Sequence, residues 1–474
     1  MADGRAEDEA SRGPAETPVA TGAAPVKPDA RPKSSVVRNA EFMLFSASQA
    51  VSLFGDKLDY MAMLALIAFY SKDWRWGGTK ALSYFSVVGA LPTVMFGPLA
   101  GVLVDRWDRR KVMIVCDTCR TVLAAAIPIV AILTHSLWLV FLAAFMVFAF
   151  GLFFNTARLS VIPNLVGEQG LLGANSVMNL IARIATFLGM FLGGLIVDWS
   201  GWERIGMVPR WSAGFYIDAL TYALSVVAMV VVFRRLAGVW ARQRTAPEFL
   251  RGKPGQSPKT EARSILEQEV RVFRELGDAL RLVLREPSVL FVYCSVVLLV
   301  FLGSGILVLY VPIIQGGIKW AGVIRGTRGV GYIAAIGSIG LIVSSLAYGL
   351  IGRYARRYKV MLACFILLGL AATGLAVFKS LAPVAPFALL AGLALSPINI
   401  GVDTMIHESV PEHIRGRIFS SRDWVMYLSF AVFAFLVGQL TTFVAPRTLL
   451  LVMALTTVGA GIAGFFLAQR RGIR

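Results

Sequence analysis

Asp56, Lys57 and Asp59, then Asp117 and Arg120, then Arg183, Asp218 and Asp403 all sit inside long apolar runs of this 474-residue chain. A charge placed in hydrocarbon is expensive, so each needs a partner, a cavity or a function. Asp56 and Asp59 are three apart and share a helix face, whereas Lys57 points elsewhere. A carboxylate in a poorly hydrated cavity exchanges its proton near neutral pH, which is the chemistry a proton-coupled carrier needs. The alternative is a static charge pair with Arg120 or Arg183 that holds helices together. Asp117 and Arg120, one turn apart, suit either a gate or a packing pair. Arg183 must face protein or water, and meets an anionic substrate or a carboxylate of the first run. Asp403 lies within a turn of the end of its run, where local solvation explains it as well as function does.

The elements that carry these residues follow from composition. The chain is 57% hydrophobic and 16% charged, with a mean hydropathy of +0.70. Soluble domains carry about 25% charge. Apolar runs of about 20 residues recur, each long enough to cross a ~30 Å hydrocarbon core as a helix. Helices also satisfy the backbone groups that lipid cannot. The expected fold is an all-α polytopic membrane protein with twelve spans, at 42–70, 81–104, 112–133, 137–156, 173–197, 212–233, 288–315, 329–351, 359–378, 384–406, 419–443 and 448–468. Residues 1–40 read as a disordered tail without the pattern of a secretory signal. The first six spans make one unit, 41–233, and the last six another, 288–468, with a short tail at 469–474. Between them, 234–287 is a polar linker. Its apolar residues from Ile265 to Leu284 fit an amphipathic helix lying on the membrane, or a solvated linker helix.

Charge orients the spans. With the N-terminus inside, 32 of the 46 Lys and Arg fall on the inner side and 10 on the outer side, which predicts both termini in the cytoplasm. The net charge of +18 is then a topological signal and not a nucleic-acid footprint. Cys116 and Cys119 sit one turn apart on a spanning helix and read as small core residues, not a redox pair.

The halves repeat. Gly101, Arg109 and Lys111 in the second loop match Gly349, Arg357 and Lys359 at an offset of 248, with Arg353 where Asp105 should recur. Pro163 and Pro411 match at the same offset. Two six-helix halves related by a pseudo-two-fold repeat place a substrate cavity between them and rock about it.

Gly101-x-Leu103-x-Asp105-Arg106-x-Asp108-Arg109-Arg110 resembles the loop 2–3 signature of the major facilitator superfamily, with Asp108 where Gly is usual. That Asp is similar to the drug-exporter branch with macrolide and siderophore efflux proteins. So are Ser52-x-x-Gly55-Asp56, Asp117-x-x-Arg120, Ala174-Asn175-Ser176 and Val410-Pro411-Glu412 with Arg415-Gly416-Arg417. Gly189-Met190-x-x-Gly193-Gly194 is similar to an antiporter motif that usually has Pro after its first Gly, and its Gly189 and Gly193 allow a close helix approach. The resemblance implies a secondary transporter that exports amphipathic small molecules. It also implies that Asp105 latches the halves in the outward-facing state, with Arg109 paired to a nearby carboxylate. No phosphate-binding loop, His-Glu-x-x-His zinc motif or Gly-x-Ser-x-Gly elbow occurs. The chain is therefore expected to be no enzyme, to need no metal or cofactor beyond an ion gradient, and to sit as a monomer in the inner (cell) membrane. A lipid flippase on the same scaffold, or a non-transporting membrane sensor, are the competing functions.

Overall fold

The computed structural model describes residues 39–71, 77–167, 170–207, 209–243, 286–319, 323–324, 326–351 and 356–470. Most of the N-terminal tail, the helix expected from Ile265 to Leu284, Arg353 and residues 471–474 lie outside them.

Twelve long helices run through the described residues. In the first half they are α1 (Ala40–Tyr70), α2 (Gly77–Arg106), α3 (Arg109–Thr134), α4 (Leu137–Val166), α5 (Leu171–Val197) and α6 (Ser212–Gln243). In the second half they are α7 (Pro287–Gln315), α8 (Thr327–Ile351), α9 (Arg357–Val377), α10 (Leu381–Ser409), α11 (Glu412–Leu440) and α12 (Pro446–Arg470). The one β pairing described, Ile318–Lys319 with Val323–Ile324, is a two-residue antiparallel contact between α7 and α8. Ten of the helices are long and apolar enough to cross a membrane, and α2 qualifies only as a bent pair. α1 does not qualify, because Asp56, Lys57 and Asp59 sit at its centre.

Two irregularities follow from proline. α2 bends by 62° between Gly97 and Leu99, at Pro98. A proline removes a backbone donor and crowds the preceding turn. In α7 the turn before Pro312 widens to a π-helix over Ile306–Tyr310, which accommodates the donor Pro312 lacks.

The repeat is visible in the packing. α1 lies against α5 and α6, α3 against α4 and α6, and α2 against α4. Adding six to each number gives the second half: α7 against α11 and α12, α9 against α10 and α12, α8 against α10. The halves meet through α2–α11 and α5–α8, a set of contacts that maps onto itself under the same shift. The repeat also holds in side-chain detail. Arg109 reaches the Ser160 carbonyl at 3.5 Å, and Arg357 pairs with Glu408, the residue 248 positions after Ser160.

The face carrying the α2–α3 and α8–α9 turns is the basic face. At the opposite face one apolar core runs through both halves, from Met61, Phe85 and Phe215 to Leu302, Phe365 and Met453. Toward the basic face the core divides. Phe42, Met113 and Phe154 belong to a cluster within the first half, and Val292, Met361 and Ile418 to one within the second. The halves are therefore joined at one face and stand apart at the other.

Polar contacts confirm that closure. At the opposite face the Arg328 backbone N–H donates to the Asp198 carboxylate at 2.8 Å, and its guanidinium donates to the Asp198 carbonyl at 2.7 Å. Asp198 ends α5, and burial raises its pKa above the ordinary carboxylate range. Gln315 donates to the Leu64 carbonyl at 3.0 Å and Gln439 to the Tyr84 hydroxyl at 3.3 Å. A Cβ on Gly194 would lie 2.9 Å from the Thr327 carbonyl and 3.0 Å from the Gly331 Cα, so the α5–α8 crossing is a contact between backbones.

Candidate functional site

A cavity of about 650 Å³ lies between the halves, walled by α1, α2, α3, α4, α6 and α11. The helix positions explain its polarity. α1 brings Asp56, Lys57, Asp59 and Tyr60, α3 brings Arg120, and α6 brings Tyr222. α11 of the other half adds Ser420, Asp423, Trp424 and Tyr427.

The wall on the first half is organised by Arg120. Its Nη2 donates to Asp56 Oδ1 at 2.5 Å and to the Tyr222 hydroxyl at 2.5 Å, and its Nη1 donates to Asp117 Oδ1 at 3.2 Å. The Tyr222 hydroxyl donates in turn to Asp56 Oδ1 at 2.6 Å. The guanidinium carbon stands 4.0 Å from the centre of the Tyr222 ring, a cation–π contact. Room for this arrangement comes from small residues. A Cβ on Gly55 would collide with Thr221 and Asp218, whereas one on Gly151 of α4 would come into ordinary contact with the guanidinium at 3.8 Å. One arginine thus ties α1, α3 and α6 together. Charge-assisted hydrogen bonds of this kind are about twice as strong as neutral ones.

Two acids nearby are not tied in this way. Asp59 is buried and its Oδ1 has no hydrogen-bond donor. Asp218 is fully buried; its Oδ1 accepts from Thr221 at 3.1 Å, and its Oδ2 has no donor. An unsatisfied buried polar oxygen costs about 1–3 kcal/mol, more when charged. The sequence places Asp56 and Asp59 on one face, and both do line the cavity; their environments differ because only Asp56 reaches Arg120. Lys57, expected to point elsewhere, lines the same cavity.

Asp117 and Arg120 lie in the interior of the first half and not beside the loop latch. Arg183 is half-buried and makes no ion pair with the α1 carboxylates among the described residues. Asp403 pairs with Arg422 on α11, which also holds Asp423 at 2.6 Å.

In the basic-face loop Asp108 caps α3, accepting from the Arg110 N–H at 3.1 Å, while Arg110 Nε lies 3.3 Å from the same carboxylate. Asp105 pairs with Arg109 at 2.8 Å, one turn away, and its side chain is 63% exposed. A Cβ on Gly101 or Gly349 would meet nothing within 4 Å, so neither glycine makes a close helix contact. Both glycines sit at the end where the halves stand apart, and the ion pairs that Arg109 and Arg357 make there stay within one half. Arg106 stands beside this loop without a role in those pairs. In α5, Gly189 packs against Lys57 Cβ and the Phe54 carbonyl, and Gly193 against Met61 and Leu58 of α1, whereas Gly194 crosses to Gly331 of the other half.

Sequence reasoning misses Tyr222, which looks like any aromatic in an apolar run, and Arg158, which falls in a loop when the fourth span ends at 156. α4 continues to Val166 and carries Arg158 into the cavity wall.

The comparisons agree with this architecture. The family model of the Major Facilitator Superfamily matches residues 46–346 and 326–473. The multidrug efflux pump Tap of Mycolicibacterium fortuitum is 26% identical over 403 residues, covering 83% of this chain and 89% of its own. Macrolide efflux protein A of Streptococcus pyogenes is 26% identical over 433 residues, covering 88% and 94%. Among solved structures, a peptide transporter POT in complex with sulfate superposes with a TM-score of 0.66 at 15% identity, covering 90% of this chain and 94% of its own. A bacterial homolog of the human lysosomal transporter Spinster, in an inward-facing and unoccupied conformation, gives 0.62 at 13%, covering 92% and 98%. Twelve helices in two repeated halves, a cavity between them and a family match across both halves lead to one conclusion: this chain belongs to the major facilitator superfamily.

Proposed function

We propose that this protein is a proton-coupled exporter of amphipathic small molecules, working by alternating access in the cell membrane with its basic face in the cytoplasm. The Lys and Arg bias supports that orientation, since positive loops stay inside. With it, the divided core at the basic face is an inward-open state. The named activities of the two relatives, multidrug and macrolide efflux, support export.

The observation that carries the reading is the Arg120 hub at the cavity wall. A proton on Asp56 removes the charge that holds Arg120 and Tyr222, leaving the guanidinium to Asp117. That loosens α1 from α3 and α6. Asp59 and Asp218, each with a donorless oxygen, are the neighbouring acceptors that pass or store the proton. The loss or gain of charge then biases which face of the halves is closed. Asp105, freed from Arg109, latches the basic face in the outward-facing state.

The test is efflux of a macrolide from loaded proteoliposomes with and without a pH gradient. Efflux should rise with the gradient in the native protein. Asp56→Asn and Asp59→Asn should each lose most of the gradient-dependent part, since neither amide can take up or release the proton. Indifference of the native protein to the gradient removes proton coupling.

A second reading, transport of lysolipids, is favoured by an apolar cavity of about 790 Å³ between α7, α9, α11 and α12, lined by Leu290, Phe291, Leu298, Phe365 and Phe433. Movement of a labelled lysolipid between leaflets in the same vesicles, unaffected by Asp56→Asn, would establish it.

A further inference from the structure

Two cations in the cavity wall lack an ion-pair partner among the described residues: Lys57 on α1 and Arg158 on α4. The Nε of Arg158 is shut off from solvent and has no acceptor. The other charges of the wall are already matched. Asp56 is held by Arg120 and Tyr222, and Asp423 is held by Arg422. Asp59 alone is an unpaired acid, and it is almost wholly buried. The unpaired groups of the wall are therefore two cations against one buried acid.

A guanidinium with an open fork is shaped for an oxyanion, which it holds through two parallel N–H bonds. An unpaired buried cation is costly, so a site of this kind is stabilised by bringing an anion to it. Apolar and aromatic side chains share the wall with small polar ones: Phe148 and Leu152 on α4, Trp424 and Tyr427 on α11, beside Thr93, Thr156 and Ser420. Asn155, one turn before Arg158, adds an amide to the same face.

We propose that Arg158 and Lys57 form an oxyanion subsite, and that the cargo is an amphipathic molecule bearing a carboxylate or phosphate, its apolar body lying against Phe148 and Trp424. The proposal rests on the reading that this cavity holds the transported molecule. It differs from what a wall of unpaired acids would select, namely a cationic amphiphile.

Binding is measured on the purified full-length protein in detergent, without a gradient, by energy transfer from tryptophan to dansyl probes. Dansyl-β-alanine carries a carboxylate, and dansyl-ethylenediamine carries an ammonium on the same body. The carboxylate probe should bind at least about tenfold more tightly than the amine, the worth of about 1.4 kcal/mol. Arg158→Gln and Lys57→Gln should each weaken it by about tenfold, at the low end for a charge-assisted hydrogen bond, and Arg158→Lys should restore part of the loss. Trp424→Phe should reduce the transfer, placing the probe in this cavity. Displacement by lysophosphatidic acid with the same dependence on Arg158 and Lys57 assigns the oxyanion to a lipid headgroup; displacement by the free carboxylate alone assigns it to a soluble cargo. Equal affinity for the two dansyl probes, transfer unchanged by Trp424→Phe, or carboxylate binding that survives the Arg158→Gln/Lys57→Gln double variant overturns the subsite. Because this assay reads binding alone, charge-selective binding together with failure of the proteoliposome efflux test would keep the subsite and sink the exporter reading instead.

Discussion

Arg120→Gln is the sharpest test of the hub. The guanidinium makes three short bonds, to Asp56 and Tyr222 at 2.5 Å and to Asp117 at 3.2 Å, and its side chain is only 8% exposed. Glutamine is shorter and neutral, so it cannot meet all three and leaves Asp56 and Asp117 without their countercharge. Removing one partner of a buried ion pair costs about 3–5 kcal/mol, because the other charge stays buried and uncompensated. For a unit of about 200 residues, about 2–4 °C per kcal/mol gives a loss of about 6–20 °C in the unfolding midpoint of the detergent-solubilised protein. The double variant Asp56→Asn/Arg120→Gln should recover part of this, since the stranded carboxylate is gone. The coupling between the two sites in a double-mutant cycle should be about 1–3 kcal/mol. Because Asp117 remains, recovery should be incomplete. A midpoint within about 2 °C of the native value for Arg120→Gln, or strictly additive effects in the cycle, would refute the idea that this arginine holds α1, α3 and α6 together.

Other outcomes follow from the same geometry. Gly194→Val should force α5 from α8, because its Cβ alone falls 2.9 Å from a carbonyl; spin labels at Ser200→Cys and Phe443→Cys should report a larger separation of the halves at the opposite face. Asp198 has a raised pKa in the closed arrangement and an ordinary one once hydrated, so the closed state binds its proton more tightly. Closure should therefore strengthen as pH falls through the raised value and weaken as pH rises above it, and Asp198→Asn should abolish that dependence in the same label pair. Asp105→Asn should impair transport far more than Arg353→Gln, and equal effects in the efflux assay would reduce the loop to a topological anchor.

Much of the fold is legible in the order of apolar runs, because a bilayer leaves the backbone few options. The offset of 248 between Arg109 and Arg357 is legible too, and it reappears as Ser160 and Glu408 receiving those two arginines. What sequence does not supply is which charges meet. Asp56, Arg120 and Tyr222 come from three helices, and a tyrosine among apolar residues carries no mark of its role. Arg158 escapes the sequence because Asn155, Thr156 and Arg158 look like the end of a span, yet all three line the cavity. Arg422 and Asp423 fall inside the eleventh run, and nothing in that run shows that Arg422 meets Asp403 or that Asp423 faces the cavity. The spacing of Gly189 and Gly193 does announce their packing, because both lie against α1 of their own half.

The crossing of Gly194 and Gly331 bears on speed as well as on fit. Most helix contacts interlock side chains, and separating them means unlocking rotamers one by one. Two glycine backbones have no rotamers to unlock or to reorder on return. The seam between α5 and α8 therefore behaves like a smooth bearing: it brings the halves together closely but offers little friction when they part. In the alternating access proposed above, opening this face parts the shared apolar core and, with it, three discrete polar latches, Asp198 with Arg328, Gln315 with Leu64 and Gln439 with Tyr84. Each neutral latch adds about 0.5–1.5 kcal/mol and the charged one more, so the polar part of the resistance is concentrated in a few bonds that can be removed one at a time.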